Sequence, residues 1–499
     1  MPRAGFKHAP GIDVELEQPD GIFLPGDIIN GNIVVNSITG LAGGQNNVHI
    51  NFYARSKGLI IRNTGEGKDY YRGRAILFQN QFFLEGPPVS EANGLEKWGL
   101  SVQIPTHTVP GQYRFNDTWK KASKYLNNVD MDITQHPLPG VFYYCGESGG
   151  TKGECYVEYV LEVSLRSTRE VQDPNGKGKK KEGDVPTTIF PLVVRTRSSE
   201  HPIQYSEYLQ EASDEVRIKT LKLLPQFATE QLGFKQNLKS VFQPSKIPNY
   251  FFDLKVTCPS TVQLDNPSHF PFRISIIPKS DTTGKGSSSS GNIFSNRDTS
   301  KLPDVKISAF SLCLKMWSLM RARGVLKWDV NTEKHHDFAI SPDLPPHMVG
   351  YVIPREGGSG ISGYRHPDES NDLMGGEQYL DLGQLLNLHL SRTHSTRLEG
   401  ERNDFKTKRP LWPSFKTYNI HCYYEWKYKI TITCVGETQV VEGKQKVELI
   451  GQSEEQEQTV KLDKQGIKKK WGELMEGAEG AAAILGLVGE IVAEAVNNA

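Results

Sequence analysis

The sequence predicts an all-β protein made of two similar antiparallel β-sandwiches in tandem. Three observations predict it. Long runs alternate apolar and polar residues with a period of two, turn signals recur at short spacing, and the two longest runs resemble each other.

In the first half, Val48, Ile50, Phe52 and Ala54 alternate with mostly polar neighbours and share one face of a strand. Trp98, Leu100, Val102 and Ile104 repeat the pattern, and Pro105 ends it. Cys155, Val157, Tyr159, Leu161, Val163 and Leu165 line one face of a longer strand, opposite Glu158, Glu162, Ser164 and Arg166. Turn signals at Pro25-Gly26-Asp27, Gly43-Gly44, Gly65-Glu66-Gly67, Pro87-Pro88 and Pro110-Gly111 punctuate these runs, so residues 11–198 are expected to form the first sandwich. Within it, Asp117–Asn128 reads as a short helix in a loop and Lys177–Gly183 as a polar hairpin tip or a disordered loop.

Residues 199–248 change character. Glu207–Leu224 has few turn residues, many helix formers and Pro225 as a stop, which predicts a helix; Ala228–Val241 predicts a second. A helical interdomain segment is therefore expected here. The second sandwich is expected over residues 249–452, with strands at Asn249–Cys258, Phe270–Ile277 and Val305–Met316. In the last of these the apolar phase slips from Val305, Ile307 and Ala309 to Phe310, Leu312 and Leu314, the mark of a β-bulge. Asp281–Thr299 and Gly357–Gly376 read as loops. Tyr418, Ile420, Cys422, Tyr424, Trp426, Tyr428, Ile430, Ile432 and Cys434 form one long face, as expected of an antiparallel sheet with one side on a core. Cys155–Val163 aligns with Cys422–Ile430 at Cys, Tyr and Glu, which favours a duplicated domain.

The tail, residues 453–499, has nine acidic residues against five lysines. Ile484, Leu487, Ile491 and Ala495 fall at helical spacing, so a C-terminal helical tail is expected. It docks on its own sandwich or a partner, or it touches a membrane. In the membrane reading, Lys468, Lys469 and Lys470 face anionic lipid and Trp471 sits at the boundary.

The 499 residues suit two or three domains. The 58 Lys and Arg balance 58 Asp and Glu, so the chain lacks the basic footprint of a nucleic-acid binder. Six cysteines without a C-x-x-C pair read as free core thiols. Met1–Gly11 has no apolar run of signal-peptide length, and no stretch approaches the ~20 apolar residues of a membrane span. A cytoplasmic protein is expected.

No motif carries a catalytic constellation. Gly358–Gly363 matches G-x-G-x-x-G, but Pro367 follows closely and argues against the helix a dinucleotide site needs. Gly146-Glu147-Ser148-Gly149-Gly150 matches G-x-S-x-G and makes a serine hydrolase at Ser148 a minor alternative. A nucleophile elbow needs a helix next, whereas here the Cys155 strand follows. His335-His336-Asp337 lacks a third ligand at recognisable spacing. No catalytic, metal or cofactor-binding residue is expected.

Specific residues resemble a family. Leu24–Val35 resembles the P-G-D-x-[VI]-x-G-x-[VI] opening of the arrestin N-terminal domain, and Val48–Ser56 is similar to the strand that follows, retaining Ala54-Arg55. Trp98–Pro105, Leu138–Tyr144 and Tyr156–Val163 fall in the family's order, while Val256–Phe272 and Tyr418–Cys434 are similar to its C-terminal domain. The resemblance covers about Gly11–Gln452 and is closest to fungal arrestin-like proteins, relatives of the α-arrestins. It implies two seven-stranded immunoglobulin-like sandwiches and no enzymatic activity. It also implies a cytosolic adaptor that binds cytoplasmic tails of membrane receptors or transporters and regulates their trafficking, endocytosis or signalling. Such adaptors link their cargo to ubiquitin ligases or endocytic machinery at plasma or endosomal membranes. A membrane-sorting scaffold resembling the retromer subunit of the same fold is the alternative. The P-P-x-Y motifs of many α-arrestins are absent; Ile247, Pro248 and Tyr250 resemble a degenerate L-P-x-Y form and are the candidate ligase-docking residues. They lead straight into the Phe251–Cys258 strand, which favours a buried Tyr250.

Overall fold

The computed structural model describes residues 8–18, 21–36, 46–65, 67–84, 88–91, 94–109, 136–148, 150–167, 186–224, 227, 247–279, 302–323, 329–340, 344–356, 379–391 and 411–456. The first half contributes β1 (Ile12–Leu16), β2 (Ile22–Phe23), β3 (Ile28–Asn36), β4 (Asn46–Asn63), β5 (Lys68–Phe83), β6 (Val89–Ser90), β7 (Leu95–Gln103), β8 (Phe142–Ser148), β9 (Thr151–Ser167) and β10 (Thr187–Val194). The second contributes β11 (Leu209–Lys219), β12 (Asn249–Pro259), β13 (Thr261–Gln263), β14 (Arg273–Pro278) and β15 (Val305–Arg323). It continues with β16 (Asp329–Ala339), β17 (Leu380–Asp381), β18 (Phe415–Lys416), β19 (Ile420–Cys434) and β20 (Glu437–Ile450). Among the described residues α-helix is confined to the single turn α1, Leu382–Leu385, and to residues 454–456.

The protein is all-β, built as two sandwiches. In the first, the sheet β1-β3-β7-β6 covers the sheet β5-β4-β9-β10-β2, with β8 beside β9. Period-two side chains from both sheets, among them Ile33, Val35, Trp98, Ile50, Phe52 and Leu161, are buried between them. In the second, β11-β12-β14-β17 covers β13-β20-β19-β15, with β16 and β18 attached to β15 and β19. Its core holds stacked Phe270 and Trp426 (centroids 5.1 Å apart) and an edge-to-face Phe272–Tyr428 pair at 5.6 Å. Gly443 lies opposite Tyr428 on β20 because a Cβ there would sit 2.2 Å from the phenol ring.

The expected bulge is present, with the β15–β19 register shifting between Ile307 and Ala309. The two resembling strands are β9 and β19, and Cys155 and Cys422 are both fully buried. A second register shift, between Ala54↔Phe78 and Arg55↔Ile76, leaves Leu77 of β5 as the extra residue, within the unbroken apolar run Ala75–Phe78.

The helix expected at Glu207–Leu224 is a strand. β11 pairs with β12 along its whole length, from Leu209↔Pro259 to Lys219↔Asn249, with only 3-10 turns at Tyr205–Tyr208 and Leu221–Leu223. Val216 and Ile218 point inward while Glu215, Arg217 and Lys219 are exposed. The ladder offered by β12 overrides local helix propensity. β11 therefore belongs to the second sandwich, which begins before residue 249. The connection from Val194 to Tyr205 is short and contains no helix. Ala228–Val241, Asp117–Asn128, Lys177–Lys181, Gly358–Gly363 and the tail from residue 457 lie outside the described residues.

One strand joins the halves. β15 extends beyond its own sandwich until Arg323 pairs with Arg72 of β5, so a 12-stranded sheet runs through both. The close approach is permitted by Gly73, which faces Gly58 across β4 and β5. A Cβ at Gly73 would lie 2.4 Å from the Arg321 carbonyl oxygen.

Candidate functional site: the interdomain crevice

The two sandwiches meet on buried polar groups. Ser56, Ser318 and Asn419 are fully buried, and Arg321 is 1% exposed. Such groups are costly unless hydrogen-bonded, so each bond here constrains how the halves fit. Ser56 Oγ donates to Asn419 Oδ1, the Arg321 N–H donates to the Asn419 carbonyl at 2.9 Å, and Cys155 Sγ lies 3.4 Å from Ser318 Oγ. Burial pushes the Cys155 thiol well above its ordinary range and Cys422 up to about 12, so both stay protonated and unreactive at neutral pH. All six cysteines are free thiols.

Beside this interface opens a crevice of about 470 Å³. Its walls come from segments remote in sequence: 22–27 and 136–142 from the first sandwich, the connection 193–198, and 412–416 with 448–451 from the second. Phe142 packs edge-to-face on Trp412 (5.8 Å) and Phe415 (4.7 Å), which fixes one apolar wall across the domain boundary. The connection is clamped from the other side. Ser198 N–H donates to the Gln452 carbonyl at 3.1 Å, its hydroxyl donates to the Gly451 carbonyl at 2.6 Å, and Gln263 Nε2 donates to Ser198 Oγ at 2.8 Å. Gly451 is required, since a Cβ would fall 2.0 Å from the Thr196 carbonyl oxygen. Arg197 pairs with Glu454 at 3.0 Å on the rim.

Thr196 Oγ1, within the crevice lining, is buried with no hydrogen-bond partner among the described residues. An apolar cleft with a few convergent polar groups is the ordinary form of a binding site. Arg195, Arg197 and Lys416 line it together with Asp27 and Glu448, so it offers charges of both signs.

The residues expected from the sequence lie elsewhere. Ile247 is 9% exposed and Tyr250 is 1% exposed, its ring 5.0 Å from Phe252. Pro248 is buried between them. This corrects the ligase-docking candidate: a WW domain needs an exposed motif, and these residues enter β12 through the core. Lys468, Lys469, Lys470 and Trp471 lie outside the described residues. Ser148 ends β8 and pairs with Thr151 of β9, so its motif sits in a strand–turn–strand hairpin rather than a nucleophile elbow. His335, His336 and Asp337 run along β16, and no group of three or more His, Cys, Asp or Glu among the described residues is placed to hold a metal. No described helix is long and apolar enough to cross a membrane. Sequence reasoning passed over the crevice, whose only local signal is Trp412-Pro413-Ser414-Phe415, an aromatic pair held rigid by proline.

No protein-family model matches the chain, and no curated protein does. Among solved structures it is similar to squid arrestin, with 10% identity and a TM-score of 0.23, over 90% of this chain and 97% of that one. It is also similar to the sporulation control protein Spo0M from Bacillus subtilis, with 9% identity and a TM-score of 0.16, over 54% of this chain and 80% of that one. Scores of this size assign no family.

Proposed function

We propose that this chain is an arrestin-like cytosolic adaptor that binds the cytoplasmic tails of membrane receptors or transporters and directs their trafficking. One observation carries the reading. Two sandwiches are joined by a buried polar interface and a shared sheet, and the joint leaves an apolar crevice with an unsatisfied Thr196 hydroxyl. Such a joint suits holding a peptide between two rigid bodies. The arrestin-like motifs Leu24–Val35 and Val48–Ser56 support the same reading, as does the strand–turn–strand setting of Ser148 against a hydrolase.

The bound tail lies in the crevice against Trp412 and Phe415. Proximity labelling in the native cell tests this, comparing the full chain with a Thr196→Arg variant that fills the crevice. Enrichment of integral membrane proteins that falls in the variant is the expected result. A partner set without membrane proteins, or one that the variant leaves unchanged, would overturn the reading.

A further inference from the structure

Only the last residues of β20, from Glu448, line the crevice; further back the same strand leaves a sheet edge open. A tight turn at Val435-Gly436, with φ of 45° and 80°, joins β19 to β20. Such a turn makes its flanking residues, Cys434 and Glu437, a hydrogen-bonded pair. Odd-numbered residues of β20 therefore point their backbone groups at β19, while Thr438, Val440, Glu442, Lys444 and Lys446 point theirs away. Two bonds agree with this phase. The Lys446 carbonyl accepts from Gln210 Nε2 at 2.7 Å, and the Glu448 N–H donates to the Ser260 carbonyl at 2.8 Å.

β13 covers this side of β20 only from Glu448 to Ile450. No hydrogen bond from a described residue reaches the outward N–H and C=O groups of Thr438, Val440, Glu442 and Lys444. A free edge is a template for another strand, and proteins blunt such edges with proline, bulges or short strands. This stretch has no proline and no register shift, and Val440 on it is 50% exposed.

The side chains of this edge fit the strand's own reversed copy. Val440, Glu442, Lys444 and Lys446 share the outer face, because Val441 and Val447 point into the core. We propose that β20 pairs with β20 of a second copy of this chain, antiparallel about a two-fold axis at Gly443. Glu442 then stands opposite Lys444 of the second copy, and Lys444 opposite its Glu442. Both positions carry free backbone groups, so the charge pairs coincide with hydrogen-bonded pairs. Val440 lies opposite Lys446, whose methylene stem covers it. Moving the axis by one residue centres it on Glu442 or Lys444 and sets like charges opposite each other, which destabilises a sheet. The charge pattern thus selects one register of an isologous join. On its own sheet Glu442 reaches Lys429 at 3.1 Å with both side chains more than half exposed, a solvated pair that holds the carboxylate weakly. A foreign peptide would find the same backbone groups but would have no use for this reversed match.

This proposal does not rest on the adaptor reading, because its test uses the purified full chain alone. Sedimentation equilibrium should show a dimer that dissociates on dilution. Lys444→Glu sets carboxylates opposite each other and Glu442→Lys sets ammonium groups opposite each other, so each variant should dimerise at least ~tenfold more weakly. Mixed in equal amounts, the two variants should associate with each other, since every cross-strand pair is then of opposite sign. The exchanged variant Glu442→Lys/Lys444→Glu should dimerise like the unaltered chain. A chain that stays monomeric at every concentration, a dimer that neither single variant weakens, or variants that fail to associate on mixing would overturn the proposal. So would a monomer whose edge binds a synthetic peptide of alternating Thr and Val, which would assign β20 to a foreign strand.

Discussion

Ser56 on β4 donates its hydroxyl hydrogen to Oδ1 of Asn419, at the entrance to β19, at 2.5 Å across the boundary between the sandwiches. Both residues are fully buried, and the Asn419 amide returns a longer bond, 3.5 Å, to the Ser56 carbonyl. Removing either partner strands the other in a dry site. Ser56→Ala and Asn419→Ala should each cost about 1–3 kcal/mol. The double variant should cost less than their sum, with a coupling of at least ~0.5 kcal/mol in a urea-unfolding cycle.

Gly73 and Gly58 face each other, yet they should tolerate a methyl group differently. At Gly73 it meets the Arg321 carbonyl oxygen at 2.4 Å, and at Gly58 nothing lies closer than 3.9 Å. Gly73→Ala should therefore lower stability by about 1–3 kcal/mol and loosen the β15–β5 join. Gly58→Ala should stay within about 0.5 kcal/mol. Thermal melts with small-angle scattering would read both effects.

The strand character of β11 predicts a period of two in its tolerance. Ile218 is buried, whereas Ser213 is exposed opposite Lys255. Ile218→Lys should prevent folding, and Ser213→Glu should change stability by no more than about 0.5 kcal/mol. A helix would place Ser213 and Val216 on one face, so equal sensitivity at those two positions would contradict the strand.

These particulars show what was legible beforehand. Val48–Ala54, Trp98–Ile104, β9 and β19 announce themselves because apolar residues recur at every second position of each, although Tyr156, Glu158 and Val160 on the other face of β9 are buried as well, and the β15 bulge shows because it breaks that alternation. β11 does not, because its residues carry helix propensity and its strand state is supplied by β12. The crevice is silent for a related reason. Leu138, Thr196, Trp412 and Gly451 acquire a common purpose only when five separate segments converge, and the glycine at Gly73 makes sense only against a strand far along the chain.

Burial also sets an alkaline limit on stability. It pushes the thiols of Cys258 and Cys422 up from an ordinary value of 9.0 to about 12. A folded-state pKa above the unfolded one means the contribution is full below about pH 9 and falls as pH rises towards about 12, because only the unfolded thiols ionise in that window. Unfolding free energy should drop by about 1 kcal/mol per pH unit for each thiol there. Urea titrations at about pH 8 and about pH 10 should show this slope, and it should shallow in a Cys258→Ala/Cys422→Ala variant.

We propose that partner tails are held in the crevice between the two sandwiches. Hydrogen–deuterium exchange on the full chain tests it most directly, with and without a peptide from the cytoplasmic tail of the membrane protein most strongly labelled in cells. New protection is expected in residues 136–142, 193–198 and 412–416, with its loss in Thr196→Arg. Protection confined to other surfaces, or unchanged by Thr196→Arg, would contradict it.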